Sequence, residues 1–150
     1  MEDFTNYKKP SMYIAFPSCT FKCERDCGQK LCQNNALATA PDIDILARTV
    51  VQRYVNNPIT SSVVCAGLEP FDSWEDLWLF VKTFRCHSDD DVVIFTGYNK
   101  EEIYDKIQLL ACYKNIIIKF GRFIPNQQPH YDEVLGINLA SDNQYAIQIS

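Results

Sequence analysis

The stretch Ser11-Met-Tyr-Ile-Ala-Phe16-Pro17-Ser18-Cys19-Thr-Phe-Lys-Cys23-Glu-Arg-Asp-Cys27-Gly-Gln-Lys-Leu-Cys32-Gln-Asn34 decides how this chain is read. Its first six residues form an apolar run that predicts a short buried strand, stopped by Pro17. A polar loop follows, in which four of the seven cysteines fall within fourteen consecutive residues. Single cysteines are ordinarily small core residues, but a cluster in a polar loop is not packing. Thiols held this close share a metal ion or an inorganic cluster.

The bulk numbers set the frame. A chain of 150 residues makes one domain, 1–150, with a single core. Apolar residues are 47% and charged residues 22%, ordinary for a globular protein. The net charge of −5 argues against nucleic acid as a partner. No run of about 20 apolar residues predicts a membrane span. The acidic, polar start Met1-Glu-Asp-Phe-Thr-Asn6 does not read as a signal peptide. The expected location is therefore the cytoplasm, where clustered thiols bind metal more readily than they form disulfides. Seven cysteines also fit a full disulfide framework poorly.

Outward from the cysteine stretch, residues 1–10 read as a loose lead-in ending at Pro10. Pro41-Asp42 opens a helix with Ile43, Leu46, Val50 and Tyr54 on its apolar face, and Asn56-Asn57-Pro58 ends it. Residues 61–66 predict a second strand, closed by the turn Gly67-Leu68-Glu69-Pro70. Ser73, with Asp76 three positions on, predicts a cap for a helix whose face is Trp74, Leu77, Trp78, Val81 and Phe84. Residues 92–95 predict a third strand ending in Thr96-Gly97-Tyr98. Asn99 caps a helix with Ile103, Ile107 and Leu110 inward, and 116–118 predict a fourth strand. Strand and helix alternate as in parallel βαβ units with right-handed crossovers. Continuous β-branched runs imply strands covered on both faces. Residues 121–150, with Pro125, Pro129 and Gly136, form a long excursion with a final strand near 145–149.

In parallel α/β architectures chemistry sits at the carboxyl ends of the strands. The cysteine loop, Gly67–Pro70, Thr96–Tyr98 and Lys119-Phe-Gly-Arg-Phe123 each follow a strand, so all four are expected on one rim. Cys65, Cys86 and Cys112 read as core residues, and His87 and His130 as surface residues. Trp74 and Trp78 read as packing against the sheet. Lys119 and Arg122 either neutralise local charge or serve an anionic ligand.

These segments resemble the radical S-adenosylmethionine superfamily, whose signature is C-x3-C-x2-C after the first strand of a partial barrel. Cys19 and Cys23 match its first interval. The second departs from it, since Cys27 leaves three intervening residues and Cys32 leaves eight. Cys32 is favoured as the third ligand, because Cys32-Gln33-Asn34 reproduces an Asn two places on, with Cys27 as the alternative. Leu31 stands where the family often has an aromatic residue. Gly67-Leu68-Glu69-Pro70 is similar to the G-G-E/D-P turn that takes the cofactor's ammonium group. Thr96-Gly97-Tyr98, Gly121-Arg122-Phe123 and Ala140-Ser141-Asp142-Asn143-Gln144 resemble, in order, segments of anaerobic ribonucleotide reductase activating proteins. The ordered matches span about residues 12–145.

The resemblance implies a shortened radical S-adenosylmethionine core, a partial parallel βα barrel with a cysteine-rich loop after its first strand. It implies a [4Fe–4S] cluster on Cys19, Cys23 and Cys32, with one iron open to S-adenosylmethionine. Cofactor contacts are expected from Gly67, Leu68, Glu69, Pro70, Thr96, Gly97, Tyr98 and Asn143. The implied reaction is reductive cleavage of S-adenosylmethionine to a 5′-deoxyadenosyl radical, which takes a hydrogen atom from a glycine of the anaerobic ribonucleoside-triphosphate reductase large chain. A flavodoxin-type carrier is the implied electron donor. A four-stranded partial barrel is too small to enclose a small substrate, which favours a protein loop entering from an open side. Three alternatives stay open: another glycyl-radical enzyme or peptide as target, a homologue holding a cluster without turnover, and a binding module with a structural cluster or a zinc ion on all four thiolates.

Overall fold

The computed structural model describes residues 1–17 and 45–150. Its centre is a six-stranded sheet in the order β1-β2-β3-β4-β5-β8. Four strands run parallel: β2 (Ser11–Phe16), β3 (Ser62–Gly67), β4 (Asp91–Phe95) and β5 (Ile116–Phe120). The short β1 (Glu2–Asp3) and the late β8 (Tyr145–Gln148) flank them antiparallel. Among the described helices, α1 is Ala47–Val55, α2 Trp74–Arg85 and α3 Tyr104–Leu110.

Because the parallel strands stand in chain order with no reversal, right-handed crossovers put every described helix on one face. Residue alternation then splits the core in two. Val63, Cys65, Val92, Ile94, Ile116 and Ile118 pack beneath the helices with Leu77, Val81, Phe84, Ile107 and Leu110. Val64, Val93 and Ile117 point the other way and meet Tyr7, Leu135 and Leu139. Both faces are covered, as the β-branched runs imply. The second cover comes from the N-terminal segment and from the hairpin of β6 (His130–Asp132) and β7 (Ile137–Leu139).

Several local expectations change. The lead-in is not loose: it forms β1, buries Tyr7 and donates Lys8 N to Leu135 O at 2.8 Å. The start of the first helix at Pro41-Asp42, with Ile43, lies outside the described residues; from Ala47 on, its buried residues are Val51 and Tyr54, and Leu46 is exposed. Ser73 makes no side-chain cap, because α2 is entered through a 3-10 turn, Pro70–Ser73, begun by Glu69. Asn99 does cap, in a reciprocal box with Glu102. Phe80 joins the buried face of α2, while Trp74 and Trp78, stacked on each other at 5.4 Å, pack partly buried against the helix-side core as expected. Cys65 is buried in the core, but Cys86 and Cys112 are exposed at the ends of α2 and α3, each thiol turned to the carbonyl four residues back.

At the amino ends of the parallel strands three consecutive carboxylates collect partners. Asp89 pairs with Lys114 at 2.8 Å, Asp90 accepts from Tyr54 at 2.6 Å, and Asp91 accepts from Tyr7 at 2.9 Å and Lys9 at 2.6 Å. They join α1, the N-terminal segment and the start of β5 to β4. No described helix is long and apolar enough to cross a membrane.

Candidate functional site

The opposite, carboxyl end of the sheet gathers the segments that follow the strands. Gly67 closes β3 at φ +91°, and a Cβ there would stand 2.6 Å from Phe16 N, so only glycine lets the ends of β2 and β3 approach this closely. Leu68 N donates to Phe16 O at 3.1 Å, which fixes the turn against the residue preceding Pro17. Pro70, at the first position of the 3-10 turn, loses no hydrogen bond there.

Glu69 is the centre of this end. It is 6% exposed, and its carboxylate accepts three hydrogen bonds from the described residues: Phe71 N at 3.1 Å and Thr96 Oγ1 at 2.9 Å on Oε1, and Gly97 N at 2.8 Å on Oε2. Burial pushes its carboxyl above the usual range; the bonds from Gly97, Phe71 and Thr96 oppose this, and Asp72 adds to it. Thr96 Oγ1 also accepts from Tyr98 N at 3.0 Å, shaping the turn after β4. Gly97 differs from Gly67: a Cβ there would make only ordinary contacts, 3.5 Å from Arg122 Cγ and 3.7 Å from Glu69 Oε2. The fold does not require glycine at 97, and its absent side chain leaves space beside the carboxylate.

The turn after β5 completes the arrangement. Thr96 N donates to Lys119 O at 2.9 Å and Gly121 N to Tyr98 O at 3.1 Å. Tyr98 OH reaches Asp72 Oδ1 at 2.5 Å, and Arg122 pairs with Glu102 at 2.9 Å. Asn143 donates Nδ2 to Arg122 O at 2.7 Å and accepts from Ser141 Oγ at 2.7 Å, so the 140–144 segment is tied to Gly121 and Arg122. Asn143 thus stands beside the rim with both ends of its amide engaged by the protein. Lys119, in β5, is 7% exposed; burial pushes its ammonium down to about 8, against the pull of Glu69.

Of the expected contact residues, the structure brings Gly67, Leu68, Glu69, Pro70, Thr96, Gly97 and Tyr98 together, with Asn143 alongside. Cys19, Cys23, Cys27 and Cys32 lie outside the described residues, as do Leu31 and Asn34. Among the described residues no group of three or more His, Cys, Asp or Glu is placed to hold a metal. Sequence reasoning gave Asp72 no role; its signal was a carboxylate three residues after Glu69 in a turn that already carried a motif. His87 is exposed, with Nδ1 3.0 Å from Thr83 O, away from the site, and His130 is half-buried in β6.

A family model described as a 4Fe-4S single cluster domain matches residues 11–145. The match covers most of the chain, and this protein belongs to that family; its cofactor is an iron–sulfur cluster. No curated protein and no solved structure gives a significant match.

Proposed function

We propose that this chain is a radical S-adenosylmethionine enzyme that generates a glycyl radical on a partner protein, the large chain of an anaerobic ribonucleoside-triphosphate reductase. The observation that carries the reading is the Glu69 turn: a buried carboxylate held over Thr96 and Gly97 at the carboxyl end of a parallel sheet. This is where the chain leaves β2 for its cysteine stretch.

The described cysteines support the ligand assignment by their unsuitability. Cys65 is enclosed in the core, and its thiol is pushed up by burial, whereas cluster ligation needs a thiolate. Cys86 and Cys112 stand at the helix C-termini, at the end of the sheet away from the Glu69 turn. That leaves Cys19, Cys23, Cys27 and Cys32, and the resemblance to the radical S-adenosylmethionine signature favours Cys19, Cys23 and Cys32 as the ligands, with Cys27 the alternative to Cys32. When bound, it supplies the electron that splits S-adenosylmethionine into methionine and a 5′-deoxyadenosyl radical. Two carboxylate oxygens accept about four hydrogen bonds, and the described residues provide three to Glu69, which suits a fourth from the cofactor's ammonium group. Thr96 and the Phe71 amide hold the carboxylate in position, and Gly97 keeps the approach to Oε2 open. Because Tyr7, Leu135 and Leu139 fill the middle of the face away from the helices, the partner's glycine loop is expected to arrive at the rim. A flavodoxin-type protein is the expected reductant.

The test is anaerobic. Reduced, iron-loaded protein mixed with S-adenosylmethionine should yield 5′-deoxyadenosine, and with the reductase chain an electron-spin signal of a glycyl radical. Activation of a different glycyl-radical enzyme or peptide would move the target; a colourless protein with zinc on four thiolates would overturn the reading. Alanine at Cys19, Cys23 or Cys32 should each abolish the cluster's visible absorption, whereas Cys27→Ala should keep it. Exchange of the last two results would reassign the third ligand to Cys27.

A further inference from the structure

We propose that the open cavity between the C-termini of α2 and α3 is a thiol-exchange site, where Cys86 forms a mixed disulfide with an anionic low-molecular-weight disulfide such as glutathione disulfide. The cavity lies at the end of the sheet away from the Glu69 turn, and the inference does not depend on the radical chemistry proposed above.

Two thiols, Cys86 and Cys112, line this one cavity, whose volume is about 630 Å³. They are the exposed cysteines among the described residues; Cys65 is closed in the core. Three cations, Lys82, Arg85 and Lys114, share the lining with a single carboxylate, Asp89. On a chain of net charge −5 this is a local excess of positive charge. The walls are laced together. Arg85 donates to Lys114 O at 2.8 Å and to Asn115 O at 3.1 Å, and Asn115 donates Nδ2 to Asp89 O at 2.6 Å. Tyr113 packs edge-on against Trp78, with ring centroids 5.4 Å apart. The segments leaving α2 and α3 therefore hold a preformed gap between them.

Helical spacing puts Trp78, Lys82 and Cys86 in one stripe, each four residues after the last. Lys82 stands 5.5 Å over the Trp78 ring and pairs with no carboxylate among the described residues, which leaves its ammonium for a ligand. Arg85 directly precedes Cys86, and Lys114 lines the cavity from the other wall. Cationic neighbours favour the thiolate, which is the attacking form. Cys112 has Lys114 two residues on but no cation in the turn before it, so Cys86 is the nucleophile. Its Sγ donates to Lys82 O at 3.3 Å, and release of that proton to solvent begins the exchange. The thiolate attacks one sulfur of the incoming disulfide, so that a new S–S bond forms as the old one breaks. The protein sulfur is oxidised, and the displaced half leaves as a thiolate that takes a proton from solvent. The carboxylates of the retained half then lie among the ammonium groups of Lys82 and Lys114; a cationic disulfide finds no such seat.

Anaerobic incubation of the full, iron-loaded chain with glutathione disulfide, followed by intact mass and peptide mapping, tests the site. Cystamine, a disulfide of opposite charge, is the control, and each rate is divided by that of a free small thiol with the same reagent. On this relative scale glutathione should add to Cys86 at least about tenfold faster than cysteamine does. The advantage should shrink as salt is raised to about 1 M, where the screening length is about 3 Å. Cys86→Ser should lose the adduct, whereas Cys112→Ser should keep it. Lys82→Glu combined with Lys114→Glu changes two exposed side chains, and this variant should still unfold cooperatively while the preference for glutathione disulfide disappears. No adduct on Cys86, equal relative rates for the two reagents, an unaltered preference in the double lysine variant, or an internal Cys86–Cys112 disulfide as the end product would each overturn the proposal.

Discussion

Gly67 and Gly97 both lie at turns at the carboxyl end of the sheet, yet they are glycines for different reasons. At Gly67 the positive φ and the 2.6 Å approach of a virtual Cβ to Phe16 N leave no room for a side chain. Gly67→Ala is expected to lower stability by about 2–3 kcal/mol in urea unfolding, in the range of strained-backbone substitutions. Gly97→Ala meets only van der Waals contacts. Its stability should stay within about 0.5 kcal/mol of the parent, while under the proposed function affinity for S-adenosylmethionine falls. Lys119 makes a prediction about pH. Its folded value, about 8, lies below the ordinary 10.5, so between those values the unfolded chain binds more protons and stability rises with pH. The full shift corresponds to a gain on the order of 3 kcal/mol. Urea midpoints for the parent and Lys119→Met between pH 7.5 and 10.5 check it: the rise should be present in the first and absent in the second.

Among the elements, those legible in the sequence were the ones with long or β-branched runs. The strands at 62–67, 91–95 and 116–120 are rich in Val and Ile, which suits strands covered on both faces, and the apolar run at 11–16 is bounded by Pro10 and Pro17. The shorter pieces escaped. β1 has two residues, and β6 and β7 three each, too few to show a period, and they exist only because partners hold them. Asp132 is one such holder. Its carboxylate accepts from Leu135 N at 2.9 Å in the β6–β7 turn and from Ala146 N at 3.1 Å on β8. That second bond covers an outward amide of an edge strand, which would otherwise offer a pairing site to another chain. Asp132→Ala should cost about 1–3 kcal/mol, since two amides lose their acceptor, and should raise concentration-dependent association in light scattering. The site was legible where a motif followed a strand, because strand ends converge in a parallel sheet. Lys119 was harder: with the fourth strand ended at Ile118, the lysine became a loop residue, whereas the strand runs on to Phe120 and turns it inward.

Across the whole molecule, the segment from 121 to 150 is the part that composition described least and that the fold uses most. It supplies Leu135 and Leu139 to the second core, β8 to the sheet edge, and Asn143 to the turn beside Gly97. Truncation after Phe120 should therefore abolish cooperative unfolding, read as loss of a sigmoidal urea transition in circular dichroism. The three carboxylates at 89–91 add a consequence of their own. They moor α1, the N-terminal segment and the start of β5 at the foot of the sheet. A vessel clamped at its base flexes at its lip, so amide hydrogen exchange should slow toward the foot and quicken toward Gly97 and Arg122, the side from which the proposed partner loop would enter.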